Sequence, residues 1–200
     1  MKSCNDEISG INASDICVII PTYNNEKTLA KVIAEVKPFI PDIIVVNDGS
    51  TDATNHILNG IDGIDCISYS VNKGKGYALR KGFERAIAKG FRYAITIDSD
   101  GQHFPEDLNR FVEIIKTHPD SLIIGARNMD QDSVPAKSSF GNKFSNFWFK
   151  VETGLICSDT QSGYRLYPLN KIKGMKLFTR KYEFEIEILV RLAWKGVGVY

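Results

Sequence analysis

The chain has 200 residues, with 25 basic and 24 acidic side chains, so its formal net charge is +1. That length suits one large domain, and the balance of charge argues against a general nucleic-acid binder. Four scattered cysteines show no metal-ligand spacing and predict reduced thiols in a cytoplasmic protein. No apolar run approaches the ~20 residues that span a bilayer.

Apolar, β-branched runs alternate with helical patterns along the chain. Strands are predicted at residues 16–20, 43–46, 66–69, 93–97 and 122–124. Helices are predicted at about 26–36, shortly after 52, and at 77–89, 105–116, 138–153 and 185–194. Residues 1–15 are expected to be a polar N-terminal extension and 126–137 a loop. A strand beginning at 196 stops with the chain, so we expect 16–200 to be one domain, truncated at its C-terminal end.

Continuous apolar strands separated by helices predict an α/β fold of three layers, with a mostly parallel sheet covered on both faces. In such sheets ligands bind beyond the carboxyl ends of the strands. Polar clusters follow three predicted strands, at residues 21–24, 47–50 and 98–100. They should lie along one edge of the sheet, which indicates a nucleotide or phosphate site.

The turn at residues 98–102 contains two carboxylates. Side chains alternate along extended chain, so Asp98 and Asp100 should point to the same side. Two close carboxylates repel each other unless a cation or a proton lies between them, and Mg2+ prefers oxygen ligands. The alternative is a solvent-exposed turn with no bound metal. The neighbouring His103 is either a structural side chain or part of the site.

Three basic residues are candidates for phosphate contacts. Residues 72–76 lack the spacing of a P-loop, but Lys75 places positive charge at a helix start, where anions bind well. A plain glycine-rich helix entry is the alternative. Arg127 follows the fifth predicted strand, and Arg165 lies in a further polar cluster. Arginine suits phosphate recognition, although a lone arginine is usually a surface ion-pair partner.

An aromatic run crosses the predicted helix at 138–153. Its members are Phe140, Phe144, Phe147, Trp148 and Phe149. We expect them mainly in the core, but the run covers more than one helix face. That width leaves room for a lipid chain or a peripheral membrane contact.

Five segments appear in an order that is typical of a known family. They are residues 18–24, 45–52, 72–76, 98–103 and 159–165. Over about 16–200 the chain resembles the family 2 glycosyltransferases of the GT-A fold. Within them it is most similar to the dolichyl-phosphate or polyprenyl-phosphate mannosyltransferase-like branch. The resemblance implies a catalytic domain that transfers a hexose, with inversion, from a GDP- or UDP-linked sugar.

The resemblance also implies roles for individual residues. Pro21, Tyr23 and Asp48 would hold the nucleoside, with Thr22 and Asn25 in the same substrate-binding cluster. Asp98 and Asp100 match a metal motif for Mg2+ or Mn2+, with Gln102 as a third ligand. Arg127 and Arg165 match phosphate-facing positions, and Ser162 lies beside them. Asn25 stands where the family often has a glutamate, so a carboxylate from this loop is not expected.

The acceptor decides what further chemistry is needed. A lipid phosphate is already an anion, whereas a hydroxyl in a glycan or glycolipid needs a general base. Asp159 is the candidate for that base. A sugar nucleotidyltransferase and a non-catalytic nucleotide-binding domain are the remaining alternatives. With a lipid acceptor we expect the protein at the cytoplasmic face of a membrane.

Overall fold

A six-stranded sheet runs through the centre of the protein. The computed structural model describes residues 10–126 and 136–200, with side chains of the second range given from Phe144 onward. The strands are β1 (Ile16–Thr22), β2 (Ile43–Asp48), β3 (Asp65–Tyr69), β4 (Tyr93–Thr96), β5 (Ile123–Ile124) and β6 (Arg165–Pro168). Their order is β3-β2-β1-β4-β6-β5. The first four are parallel, and β6 is antiparallel to both β4 and β5.

Helices connect the strands and cover both faces of the sheet. They are α1 (Leu29–Val36), α2 (Thr54–Asn59), α3 (Lys75–Ala88), α4 (Leu108–Thr117), α5 (Ala136–Thr153), α6 (Leu169–Ile172) and α7 (Glu183–Trp194). Short 3-10 turns span Ala13–Asp15 and Pro105–Asp107. Among the described residues, no helix is both long and apolar enough to cross a membrane.

The alternation of side chains along β1 explains the three layers. Ile16, Val18 and Ile20 face one hydrophobic cluster, which includes the buried sides of α1 and α4. Cys17 and Ile19 face the second, with the buried sides of α3 and α7. Because β1 is buried on both faces, its sequence is continuously apolar. The prediction of a mostly parallel α/β fold is therefore confirmed.

Three elements of the structure differ from the predicted ones. The strand predicted at 122–124 shortens to the two residues of β5, while Leu122 pairs in parallel with Val199. Strand β6 was missed because Arg165 and Tyr167 were assigned to the polar cluster that begins at Asp159, although the strand is wholly buried. The first helix begins at Leu29, three residues later than expected, and residues 26–28 form a turn before it, where the Thr28 hydroxyl donates to the carbonyl of Ser99 (2.6 Å).

Candidate active site

A cavity of about 420 Å3 opens at the carboxyl ends of the parallel strands. It forms where β1 lies between β2 and β4, so the loops after these three strands meet. Eight of the residues expected to form the site line this cavity: Pro21, Thr22, Tyr23, Asn25, Asp48, Lys75, Asp98 and Asp100. Far-apart segments of the chain are thus brought to one edge, as parallel strands require.

The acidic turn is held in place by the loop after β1. The Asn25 amide donates to the Ser99 hydroxyl (2.6 Å), and the Thr28 hydroxyl donates to the Ser99 carbonyl. Asp98 is partly buried, whereas Asp100 is exposed and accepts a bond from the backbone N–H of Gln102 (3.0 Å). Asn25 therefore positions the acidic pair, besides lining the cavity.

Lys75 forms an ion pair with Asp98. The Lys75 Nζ lies 2.7 Å from Asp98 Oδ1 and 3.2 Å from Glu185 Oε2. His103 Nε2 lies 3.8 Å from Asp98 Oδ2. Burial opposes ionisation of Asp98, but the neighbouring His103 and Lys75 outweigh it and hold the pKa of Asp98 well below its usual range. The Asp98 carboxylate is therefore an anion at neutral pH.

Asp48 shapes the glycine-rich loop before α3. Its carboxylate accepts from the backbone N–H groups of Lys73 (2.8 Å) and Gly74 (2.8 Å). Gly74 has a positive φ of 97°, and an added Cβ would lie 2.6 Å from the Arg180 carbonyl, so only glycine fits there. The loop consequently presents Lys75 at the first turn of α3, facing the acidic turn.

Arg165, Ser162 and Asp159 are not among the residues that line this cavity. The Arg165 guanidinium is fully buried and donates to the carbonyls of Ser162, Glu185 and Thr160, each at 2.7 Å. The expectation that Arg165 faces a phosphate is corrected, because these donors are directed into the protein interior. Ser162 is also buried, and its hydroxyl donates to the carbonyl of Gly125 (2.6 Å).

The remaining expected residues have mixed outcomes. Asp159 is buried and accepts from the backbone N–H of Gln161 (3.1 Å). Gln102 is exposed beside the acidic turn. The ring of His103 packs 4.9 Å from that of Tyr164, so this histidine is both a packing residue and a neighbour of Asp98. Arg127 lies outside the described residues.

A family comparison decides between the enzyme classes. The model of the family described as "Glycosyl transferase family 2" matches residues 17–173. The chain belongs to this family. It is therefore a glycosyltransferase, which removes the nucleotidyltransferase and non-catalytic alternatives.

Relatives of this glycosyltransferase include enzymes named for lipid-phosphate acceptors. It is 29% identical over 197 residues to a UDP-N-acetylglucosamine–dolichyl-phosphate N-acetylglucosaminyltransferase of Methanococcus voltae, covering 88% of this chain and 78% of the relative. It is 29% identical to the polyprenol monophosphomannose synthase of Mycolicibacterium smegmatis, covering 91% and 73%. An uncharacterized protein of Methanocaldococcus jannaschii is 31% identical, covering 95% and 80%.

A solved structure supports the fold. The glucosyl-3-phosphoglycerate synthase of M. tuberculosis superposes with a TM-score of 0.67 at 22% identity, covering 95% of this chain and 74% of that one. At this identity the likeness concerns the architecture alone. It agrees with the GT-A fold that the sequence motifs implied.

The residues missed from the sequence of this family 2 enzyme include a group at and just before the start of α7. Lys181 and Tyr182 line the cavity from the segment before α7, which has no strand or helix pattern to place it. Glu185 is 6% exposed and contacts Lys75. The sequence could have predicted the burial of Glu185, because this residue continues the buried face that Ile188 and Leu192 form along α7. A carboxylate on an apolar helix face must be paired, and its partner is the site lysine.

Proposed function

We propose that this enzyme transfers a hexose, with inversion, from a nucleotide-diphosphate sugar to a polyprenyl-phosphate acceptor, with the help of a divalent cation. The observation that carries the proposal is the meeting of Lys75 with Asp98 and Asp100 in one cavity at the carboxyl edge of the sheet. A diphosphate in this cavity would find positive charge from Lys75 and, through a cation, the two carboxylates.

The donor set at the acidic turn fits Mg2+ or Mn2+. Asp98 and Asp100 both line the cavity and offer hard oxygen atoms. Within residues 10–126 and 136–200, no three acidic, histidine or cysteine side chains gather as a metal cage. A cage is not required, because Mg2+ at such sites commonly uses one or two carboxylates plus water and substrate phosphates. The exposed Gln102 is a third candidate ligand.

The proposed reaction is a single displacement at the anomeric carbon. An oxygen of the acceptor phosphate attacks, the bond from that carbon to the donor phosphate breaks, and the nucleoside diphosphate leaves. When bound, a divalent cation supplies Lewis-acid stabilisation of the leaving diphosphate. Lys75 adds a positive charge at the same wall of the cavity, where negative charge develops.

The placement of Asp159 favours a phosphate acceptor. A hydroxyl acceptor needs a base within hydrogen-bond reach of its proton. Asp159 is 0% exposed and is not among the residues that line the cavity. A phosphate acceptor is already an anion and does not need this base. Two of the relatives are named for dolichyl-phosphate and polyprenol substrates, which supports the same choice.

Helix α5 carries a feature that supports contact with a lipid surface. Phe144, Phe147, Trp148 and Val151 are each about half exposed or more (47–59%) and recur at helical spacing. Only Phe149 of the described aromatic side chains in this run is buried, so the expected core role was wrong for Phe144, Phe147 and Trp148. An exposed apolar stripe suits the headgroup boundary of a membrane that carries a polyprenyl acceptor. The cytoplasmic face of such a membrane is the location we propose.

The metal-binding part of the proposal is tested with one substitution. Asp98→Asn should abolish the Mn2+-dependent gain in thermal stability produced by UDP or GDP, and the corresponding nucleotide sugars, because the variant loses a carboxylate ligand. Sugar transfer to polyprenyl phosphate should fall by roughly 100-fold or more. Asp62→Asn is the matched control, since Asp62 is exposed and distant from the cavity lining. Full Mn2+ dependence and turnover in Asp98→Asn would remove the basis of the proposal.

A further inference from the structure

One ammonium group is shared by two carboxylates at the cavity wall. The Lys75 Nζ lies 2.7 Å from Asp98 on the acidic turn and 3.2 Å from Glu185 on α7. The side chains of Lys75, Asp98 and Glu185 are 19%, 27% and 8% exposed. The lysine therefore bridges the carboxylate expected to bind a metal and a second carboxylate that lies outside the expected metal motif.

The ion pair between Lys75 and Asp98 conflicts with metal binding at Asp98. A divalent cation bound to this carboxylate would lie close to an ammonium that already contacts it. Repulsion between like charges at such a distance is strong where water is partly excluded. Lys75 must then weaken its contact with Asp98, and a partly buried ammonium is more stable with another anion in that place.

Glu185 is the second carboxylate that already contacts Lys75, so it is placed to hold the ammonium. The backbone carbonyl of Glu185 accepts from Arg165 (2.7 Å), which fixes this end of α7. On another side, a Cβ added at Gly163 would lie 2.6 Å from Asp98 Oδ2 and 2.8 Å from Lys75 Nζ. The backbone of Gly163 is thus packed against the ion pair on that side. Glu185 is already 3.2 Å away.

We infer that Glu185 is a positioning residue that takes over Lys75 when a divalent cation occupies Asp98. Without the cation, Lys75 neutralises Asp98. With the cation, the ammonium moves onto Glu185, remains at the cavity wall and is available to the donor diphosphate. This inference rests on the metal-dependent function proposed above. The inference adds that Lys75 and the divalent cation compete for the Asp98 carboxylate, and that this competition sets the affinity for the cation.

The inference is tested by a double-mutant cycle on Mn2+ affinity. Free Mn2+ is measured by electron paramagnetic resonance in titrations with Mn2+ alone and with Mn2+ plus UDP or GDP. Lys75→Met should bind Mn2+ alone several-fold more tightly than the parent, because the competing cation is gone. Glu185→Gln should bind Mn2+ about tenfold more weakly, because Lys75 then has only Asp98 as its partner.

The cycle distinguishes two reasons why Glu185→Gln could weaken Mn2+ binding. One is that Lys75 no longer has Glu185 as an alternative partner to Asp98, and the other is the loss of a negative charge near the metal. In the Lys75→Met background, Glu185→Gln should change Mn2+ affinity by less than about threefold. Glu183→Gln removes an exposed charge from the same helix turn and should have no measurable effect in either background. Equal weakening by Glu185→Gln in both backgrounds would overturn the inference, as would unchanged or weaker Mn2+ binding by Lys75→Met.

Thermal melting without metal confirms that each variant folds. If Glu185→Gln does not fold, unchanged or weaker Mn2+ binding by Lys75→Met still overturns the inference. Parent protein that binds no Mn2+, even with UDP or GDP, would overturn the proposed metal dependence and the inference together. Normal Mn2+ binding by the parent with an additive cycle would overturn the inference only.

Discussion

Replacing Arg165 with methionine should destabilise the fold. The guanidinium is fully buried and donates to three carbonyls at 2.7 Å, those of Thr160, Ser162 and Glu185. Methionine keeps much of the volume but leaves these buried acceptors without that donor, at about 1–3 kcal/mol each. Partial relaxation of the chain should limit the total to about 3–5 kcal/mol, the usual effect of breaking a buried charged network.

Urea unfolding and thermal melting measure this loss directly. For a domain of this size, about 3–5 kcal/mol corresponds to a fall in Tm of about 6–20 °C. Arg110→Met is the matched control, because the Arg110 side chain is 79% exposed and its removal should change stability by less than about 0.5 kcal/mol. If Arg165→Met melted like the control and instead raised the KM for the phosphate acceptor, the interior placement of Arg165 would be refuted.

Three further predictions concern the acceptor, the membrane and pH. If Asp159→Asn folds, its rate of transfer to polyprenyl phosphate should stay within about threefold of the parent, because a phosphate acceptor needs no general base. Loss of a general base would lower the rate about 100-fold or more. A loss of that size with unchanged melting would favour a hydroxyl acceptor. The double variant Phe147→Ser/Trp148→Ser should reduce co-sedimentation with anionic liposomes about tenfold or more. Val71→Ser, which changes an exposed apolar side chain beyond the end of β3, should not reduce it. Equal sedimentation of the double variant and the Val71→Ser control would exclude the α5 stripe as the membrane contact. Burial opposes ionisation of Glu187, but donors from Thr179, Phe178 and Arg191 lower its pKa from 4.5 to about 2. The stabilisation that this carboxylate contributes is therefore complete above pH 4.5 and is lost as the pH falls toward 2. In urea unfolding, Glu187→Gln should lower the free energy of unfolding by about 2–3 kcal/mol at pH 7 and change it very little near pH 2.

The parallel half of the sheet could be predicted because its signal is local. In β1 every residue is buried, and no helix of the same length would tolerate Pro21 at this position. Strand β6 could not be predicted in the same way. Its Arg165 and Tyr167 are buried polar groups that the fold satisfies through nearby carbonyls, the distant carbonyl of Glu185 and packing. Tertiary hydrogen bonds of this kind leave no periodic pattern in the sequence.

The residues of the candidate site likewise differ in how well the sequence predicts their position. Residues at or just after the carboxyl ends of strands, such as Asp48 and Asp98, were placed correctly at the cavity because strand direction alone brings them there. Arg165 was assigned to a phosphate by its residue type, which does not say whether the side chain points outward or inward. Glu185 comes from a helix that is distant in sequence, and only the packing of α7 against α3 brings it to Lys75.

The charges around Lys75 explain why the buried carboxylate of Glu185 can persist. Lys75 and Arg165 together balance Asp98 and Glu185, so the described cluster is close to neutral without a metal. Burial raises the pKa of Glu185, while Lys75 and Arg165 oppose that rise. A divalent cation would leave this cluster with excess positive charge. Asp100, exposed beside it, and the diphosphate of the donor are the groups that can compensate, so cation and donor should bind with positive coupling.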